Sequence, residues 1–176
     1  VNCVAFSPDG RTIASGAAGN TGHILIWNLN GTPRATHVIK DHARDAGMQI
    51  VSLCFSRDSK EVLYTGIAYS GQAGLVDVAT GKQRILIKEH TNTVVSGHLS
   101  ADGKLAITSG GTDNEVLLWR TSDGRIVHKF ASKGKAVCAT AWSKDGKTIA
   151  WGNTNLSDPR DGTMPLERTF RLDALD

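Results

Sequence analysis

The sequence predicts an all-β chain made of four copies of one antiparallel unit. Three observations carry this. First, an aromatic or His residue followed by Ser, a short spacer and Asp recurs four times. The segments are Phe6-Ser7-Pro8-Asp9, Phe55-Ser56-Arg57-Asp58, His98-Leu99-Ser100-Ala101-Asp102 and Trp142-Ser143-Lys144-Asp145. Second, the Asp residues of these segments are 49, 44 and 43 positions apart, and a period in the forties marks structural repeats. Third, the stretches between them are short apolar or alternating runs bounded by Gly, Asn and Asp. That is a strand-and-turn pattern, and no segment holds a helical period.

Each unit reads as four strands in order. The first is apolar and ends at the aromatic: Val1 to Phe6, Ile50 to Phe55, Val94 to His98 and Val137 to Trp142. A polar turn with Asp and usually Gly follows, as in Ser7-Pro8-Asp9-Gly10. The second strand is Thr12 to Ser15, Glu61 to Tyr64, Leu105 to Thr108 and Thr148 to Trp151. Beyond a Gly-rich link, a third strand runs toward Trp27, Val76, Trp119 and Phe170. The turns Asn30-Gly31, Thr80-Gly81-Lys82 and Asp123-Gly124-Arg125 then lead to a fourth, such as Arg84 to Ile87 or Ile126 to Phe130.

Composition bounds the function. The 176 residues are 40% hydrophobic and 21% charged. That is an ordinary globular balance, and the 19 Gly residues suit tight turns. The net charge of +3 comes from Lys and Arg spread along the chain, which argues against a nucleic-acid footprint. No apolar run approaches the ~18 residues of a membrane-spanning helix, so no membrane partner is expected. Cys3, Cys54 and Cys138 sit in the apolar runs before the aromatics. Their number is odd and their spacing fits neither a zinc site nor a disulfide framework. Buried free thiols are expected, and with them a reducing, cytoplasmic setting. No Met opens the sequence and Val1 falls inside a strand pattern, so a chain cut from a longer one is expected.

With Ser7-Pro8-Asp9-Gly10, Ile26-Trp27-Asn28, Ala79-Thr80-Gly81-Lys82 and Leu118-Trp119-Arg120 in view, the chain resembles the WD-repeat β-propellers over nearly its whole length. The resemblance implies a four-stranded blade for each unit, arranged around a central channel. The expected blades are 1–41, 42–89, 90–132 and 133–176, the last without a fourth strand. They are expected to be part of a larger ring, with the remaining blades in the same polypeptide.

The resemblance further implies a buried structural tetrad of His90, Ser109, Asp113 and Trp119 in the third blade. In such a relay Asp accepts from His, His bonds the hydroxyl, and the hydroxyl accepts the indole N–H, so every buried polar group is satisfied. Ser, His and Asp together also suggest hydrolysis, but a staple between strands offers no oxyanion hole, so no catalytic residue is expected. The second blade has His42 and Thr65 but Val76 in place of Trp, and the fourth has Trp151 at the Ser position and Lys133 at the His position. These two blades are expected to rely on apolar packing.

Length variation places extra residues in Asp41 to Gln49 and Asn153 to Pro165. In the resembled family both connections emerge on one rim, and long loops on a rigid scaffold are where binding residues concentrate. The first loop offers His42, Arg44, Asp45 and Met48, mixed chemistry suited to a protein surface. The second, with Asn155, Asp158, Arg160 and Asp161, is rich in oxygen ligands. Its spacing matches no calcium loop and Arg160 lies in its midst, so Asx-turns are expected rather than a metal. The six scattered His residues show no ligand spacing, and neither metal nor cofactor is expected.

Two functions remain. One is a non-catalytic scaffold that binds other proteins through the rim loops. The other is a regulatory or substrate-recruiting propeller fused to an enzyme. The stretches Ala106 to Trp119 and Lys147 to Asn155 are similar to propellers of bacterial proteins that also carry a caspase-like peptidase domain, whose Cys/His dyad would lie outside this segment.

Overall fold

In the computed structural model, the described residues are 1–17, 22–39, 49–67, 71–110, 114–131, 136–153 and 167–174. They form fifteen strands in four antiparallel sheets, each ordered as in the sequence. The first sheet holds β1 (Cys3–Phe6), β2 (Thr12–Ala17), β3 (Gly22–Asn28) and β4 (Pro33–Ile39). The second holds β5 (Gln49–Phe55), β6 (Glu61–Ile67), β7 (Ala73–Asp77) and β8 (Gln83–Ile87). The third holds β9 (Val94–Leu99), β10 (Leu105–Gly110), β11 (Glu115–Arg120) and β12 (Ile126–Ala131). The fourth holds β13 (Val137–Trp142), β14 (Thr148–Asn153) and β15 (Glu167–Arg171). A short 3-10 turn, Leu172–Ala174, follows.

The first strands of successive sheets lie side by side, β1 against β5, β5 against β9 and β9 against β13. The sheets therefore stack face to face with three apolar layers between them. Ile24, Ile26, Ile50, Val62, Tyr64 and Val76 fill the first layer. Leu63, Leu75, Val94, Leu117 and Trp119 fill the second, and Ile107, Leu118, Phe130, Ile149 and Trp151 the third. Because strand side chains alternate, β6 serves two layers, Val62 and Tyr64 facing one sheet and Leu63 the other. Burying both faces explains why β6, β10 and β11 read as continuous apolar runs.

The repeated Ser-x-Asp segment is a self-bonded turn. Ser7 Oγ donates to Asp9 Oδ1 at 2.6 Å, the Arg11 N–H donates to the same oxygen at 3.0 Å, and the Thr12 N–H donates to Ser7 Oγ at 2.9 Å. The same three bonds recur around Ser56, Ser100 and Ser143. The residue after Asp turns left-handed, which suits glycine. Gly10, Gly103 and Gly146 hold that place, with φ of 69°, 71° and 70°. In the second sheet Ser59 takes the same conformation at φ 61°, and its hydroxyl accepts the Asp9 N–H of the neighbouring turn at 3.2 Å.

A second turn, a hairpin in the first three sheets and the 3-10 turn after β15 in the fourth, lies at the same end of each sheet and is bonded to the first. Leu29 N–H donates to Arg11 O, Val78 to Lys60 O, Thr121 to Lys104 O and Leu172 to Lys147 O, at 2.9, 2.8, 3.0 and 2.8 Å. Each accepting carbonyl belongs to the residue two places after the turn Asp. This rim is thus a regular row of paired turns.

The cysteines depart from expectation. None of the three is in a disulfide, but Cys3 and Cys54 are only partly buried and Cys138 is exposed. A β-bulge between Val137 and Ala139 breaks the alternation of β13, and it leaves Cys138 and Ala139 both outside the core.

Candidate functional site

The loop residues that the sequence puts forward for partner binding, His42, Arg44, Asp45, Met48, Asn155, Asp158, Arg160 and Asp161, lie outside the described residues, as does Asp113. What the structure does describe is the buried polar cluster of the third sheet and the rim of paired turns.

In the third sheet the hydroxyl between imidazole and indole belongs to Thr108, which corrects the expectation of Ser109. His90 Nε2 lies 2.9 Å from Thr108 Oγ1, and Trp119 Nε1 donates to the same oxygen at 3.3 Å. Ser109 Oγ instead donates to Val137 O of the next sheet at 3.2 Å. The reason is strand alternation. Thr108 faces the second sheet with Ala106 and Trp119, while Ser109 faces the fourth with Ile107. Thr108 is 0% and His90 3% exposed. Thr108 Oγ1 thus accepts the indole N–H and shares a second bond with Nε2, whose direction depends on whether Nε2 or Nδ1 of His90 carries the proton. That buried Nδ1 makes no hydrogen bond among the described residues. Burial pushes the His90 pKa down to about 4, and the Lys129 ammonium adds to the effect. The imidazole is therefore neutral at pH 7.

The first sheet holds a companion pair that no sequence motif announces. Trp27 Nε1 donates to Ser15 Oγ at 3.3 Å. Ser15, Tyr64, Thr108 and Trp151 each lie six residues after the turn Asp, so they share one position. Where that residue is small, the third strand carries Trp27 or Trp119. Where it is Tyr64 or Trp151, the third strand carries Val76 or Phe170. In the second sheet the large ring has moved from the third strand to the second, while in the fourth Phe170 keeps a ring on the third strand and Trp151 adds one on the second. Tyr64 lies over Gly74, its partner on β7, where a Cβ would come within 2.8 Å of the ring. Its hydroxyl donates to Gln83 Oε1 at 2.9 Å, so the second sheet retains a polar anchor beside its apolar packing. Thr65, the hydroxyl expected there from sequence, is buried, and its Oγ1 makes no hydrogen bond among the described residues.

Other polar side chains stitch sheet to sheet. Thr140 Oγ1 lies 3.0 Å from Ser96 Oγ and 3.2 Å from His98 Nδ1, and Trp142 Nε1 donates to His98 O at 3.2 Å. His37 Nδ1 donates to Gly81 O at 2.9 Å. Arg84 binds Glu61 through two nitrogens and sends Nη1 to Thr121 O of the third sheet at 2.7 Å. Burial lowers the pKa of both His37 and His98.

On the rim of paired turns, the carboxylates are engaged within their own turns. The hydroxyls of Ser7, Ser56 and Ser143 are the main reason that Asp9, Asp58 and Asp145 titrate below the usual carboxylate range. For Asp102 the main cause is the Lys104 N–H, followed by the Ser100 hydroxyl. Among the described residues no three His, Cys, Asp or Glu gather as a metal-binding group, and no helix is long and apolar enough to cross a membrane.

Comparison with known proteins fits this geometry. The family model described as WD domain, G-beta repeat matches residues 1–28 and 81–120. Echinoderm microtubule-associated protein-like 1 of Homo sapiens is 33% identical over 178 aligned positions, covering 90% of this chain and 20% of that protein. Protein SPA1-RELATED 3 of Arabidopsis thaliana is 25% identical over 94% of this chain and 20% of its own length. Intraflagellar transport protein 80 homolog of Rattus norvegicus is 25% identical over 85% of this chain and 18% of its own. The chain therefore spans about a fifth of the length of these relatives. With repeated Ser-x-Asp turns, four stacked antiparallel sheets and these matches together, the chain belongs to the WD-repeat family.

Proposed function

We propose that this segment is a non-catalytic protein-interaction scaffold that engages other proteins through the rim carrying residues 41–49 and 153–165. The observation that carries the proposal is the employment of its chemically capable side chains. His90, Thr108, Ser109, Ser96, Thr140 and His98 spend their hydrogen bonds between strands and sheets, and the nucleophile-like hydroxyl of Thr108 is wholly buried. Such a framework fixes the strand ends from which surface segments leave, the setting in which binding residues concentrate. The relatives add support. Proteins that align over most of this chain are named for microtubule association and for intraflagellar transport, and neither name denotes a catalytic activity.

The test exchanges residues 43–48 for a short Gly-containing turn in the native full-length protein. Partners are compared by quantitative crosslinking in the native source. The expected result is an unchanged melting temperature with loss of one or more crosslinked partners. An unaltered partner set with the exchange in place would overturn the role of that loop.

A further inference from the structure

The sequence spreads Lys and Arg evenly, but the fold gathers them on one rim. The residue two places after each turn Asp is basic in all four repeats: Arg11, Lys60, Lys104 and Lys147. These are the residues whose carbonyls accept the bond from the second turn of each sheet, so the four side chains leave the same structural position in successive sheets. All four are exposed.

The surrounding charges do not cancel them. The turns and adjoining strand ends of the first sheet carry Arg11 and Arg34 against Asp9. Those of the second carry Arg57, Lys60, Lys82 and Arg84 against Asp58, Glu61 and Asp77. The third has Lys104, Arg120 and Arg125 against Asp102 and Asp123, and the fourth Lys144, Lys147 and Arg171 against Asp145 and Asp173. Each sheet thus presents one cation more than its anions. Four sheets exceed the chain's whole net charge of +3, so the excess positive charge resides on this rim. Its ion pairs are Arg84 with Glu61, Arg120 with Asp123, Arg171 with Asp173 and a long Lys104 contact to Asp102 at 4.0 Å. Arg11, Lys60 and Lys147 form no ion pair among the described residues.

We infer that this rim is a docking surface for an acidic polypeptide segment, one whose Glu or Asp residues meet the repeated basic position in successive sheets. Mixed sign favours a polypeptide over a phosphate polymer. Asp58, Glu61 and Asp102, together with Arg57, line a groove of about 350 Å³ between the second and third sheets. There the three acidic groups would repel a uniformly charged backbone but tolerate spaced carboxylates. Beside it a groove of about 480 Å³ runs between Lys104 and Arg120 over Leu105 and Thr121, with room for the stem of an acidic side chain. Residues 41–49 and 153–165 join the opposite strand ends, so the inference stands apart from the function proposed above.

The test uses the native full-length protein, a fluorescent peptide of alternating Glu and Gly, and a Lys-Gly peptide as control. Arg11, Lys60, Lys104 and Lys147 are replaced together by Glu, and Lys88→Glu, an exposed change off this rim, serves as the control variant. Expected are binding of the Glu peptide that weakens with salt, loss of roughly tenfold or more in the fourfold variant, and no change with Lys88→Glu. If the fourfold reversal lowers the melting temperature, Gln at the same four positions carries the comparison. Glu-peptide binding that is absent at low salt, or indifferent to the fourfold change, overturns the inference. So does tighter, equally rim-dependent binding of duplex DNA or of phosphatidylserine vesicles, which would assign the rim to phosphate.

Discussion

Replacing Thr108 by Val keeps the shape of a wholly buried side chain and removes only its hydroxyl. Two groups then lose their partner, the indole N–H of Trp119 at 3.3 Å and Nε2 of His90 at 2.9 Å. Leaving one buried polar group unsatisfied costs about 1–3 kcal/mol, and the near-isosteric change leaves no cavity to add to it. For the pair we expect about 3 kcal/mol, or a melting temperature lower by roughly 6–12 °C for a domain of this size. Ser109→Ala is the control one residue away. It removes a single bond to Val137 O at 3.2 Å. That loss should cost only about 1 kcal/mol. The assay is thermal unfolding by circular dichroism at pH 7, paired with urea midpoints to confirm an unchanged denaturant slope. The reasoning fails if Ser109→Ala is as damaging as Thr108→Val, or if Thr108→Val melts like the parent.

Acid should destabilise the protein through its buried imidazoles. The pKa of His90 is 6.5 when unfolded and about 4 when folded, so between those values the unfolded chain binds the extra proton. Stability is full above about pH 6.5, falls as pH drops through the window, and levels off below about 4, by about 3 kcal/mol for this residue. His37 and His98 are lowered in the same direction and add to the slope. His90→Gln should flatten the melting temperature across that window relative to the parent, and an equally steep profile would remove His90 from the account. Separately, a Cβ at Gly74 would meet Ile85 O at 2.6 Å and the Tyr64 ring at 2.8 Å. Gly74→Ala should therefore cost about 1–3 kcal/mol. A urea midpoint equal to the parent's would show that Tyr64 does not depend on that space.

The strands are legible in the sequence because each unit repeats the same order of turn chemistry and apolar runs. Val137 to Trp142 matches β13 to the residue, and most other strand ends fall within two positions. The buried cluster is legible only in part. Thr108 and Ser109 are adjacent hydroxyls, and which one meets the indole depends on strand register, which two neighbouring polar letters do not reveal. Tyr64 misleads for a related reason, since an aromatic on β6 takes the place expected of an aromatic on β7. The basic row is hidden by its own regularity. Residues more than forty positions apart look dispersed along a chain and become neighbours only when sheets stack.

The movement of the large ring between the second and third strands bears on how such repeats are recognised. The gap between stacked sheets is set by the strands themselves and has to be filled to crystal-like density, so what each repeat must supply is a volume. Trp27 with Ser15 and Trp119 with Thr108 supply it one way, Tyr64 with Val76 the other, and Trp151 with Phe170 by a ring on each strand. The segments matched by the family model, 1–28 and 81–120, contain Trp27 and Trp119, the two units with Trp on the third strand. A pattern keyed to one letter at one place registers the units that kept the ring there. A count of repeats by filled interlayer space would register all four.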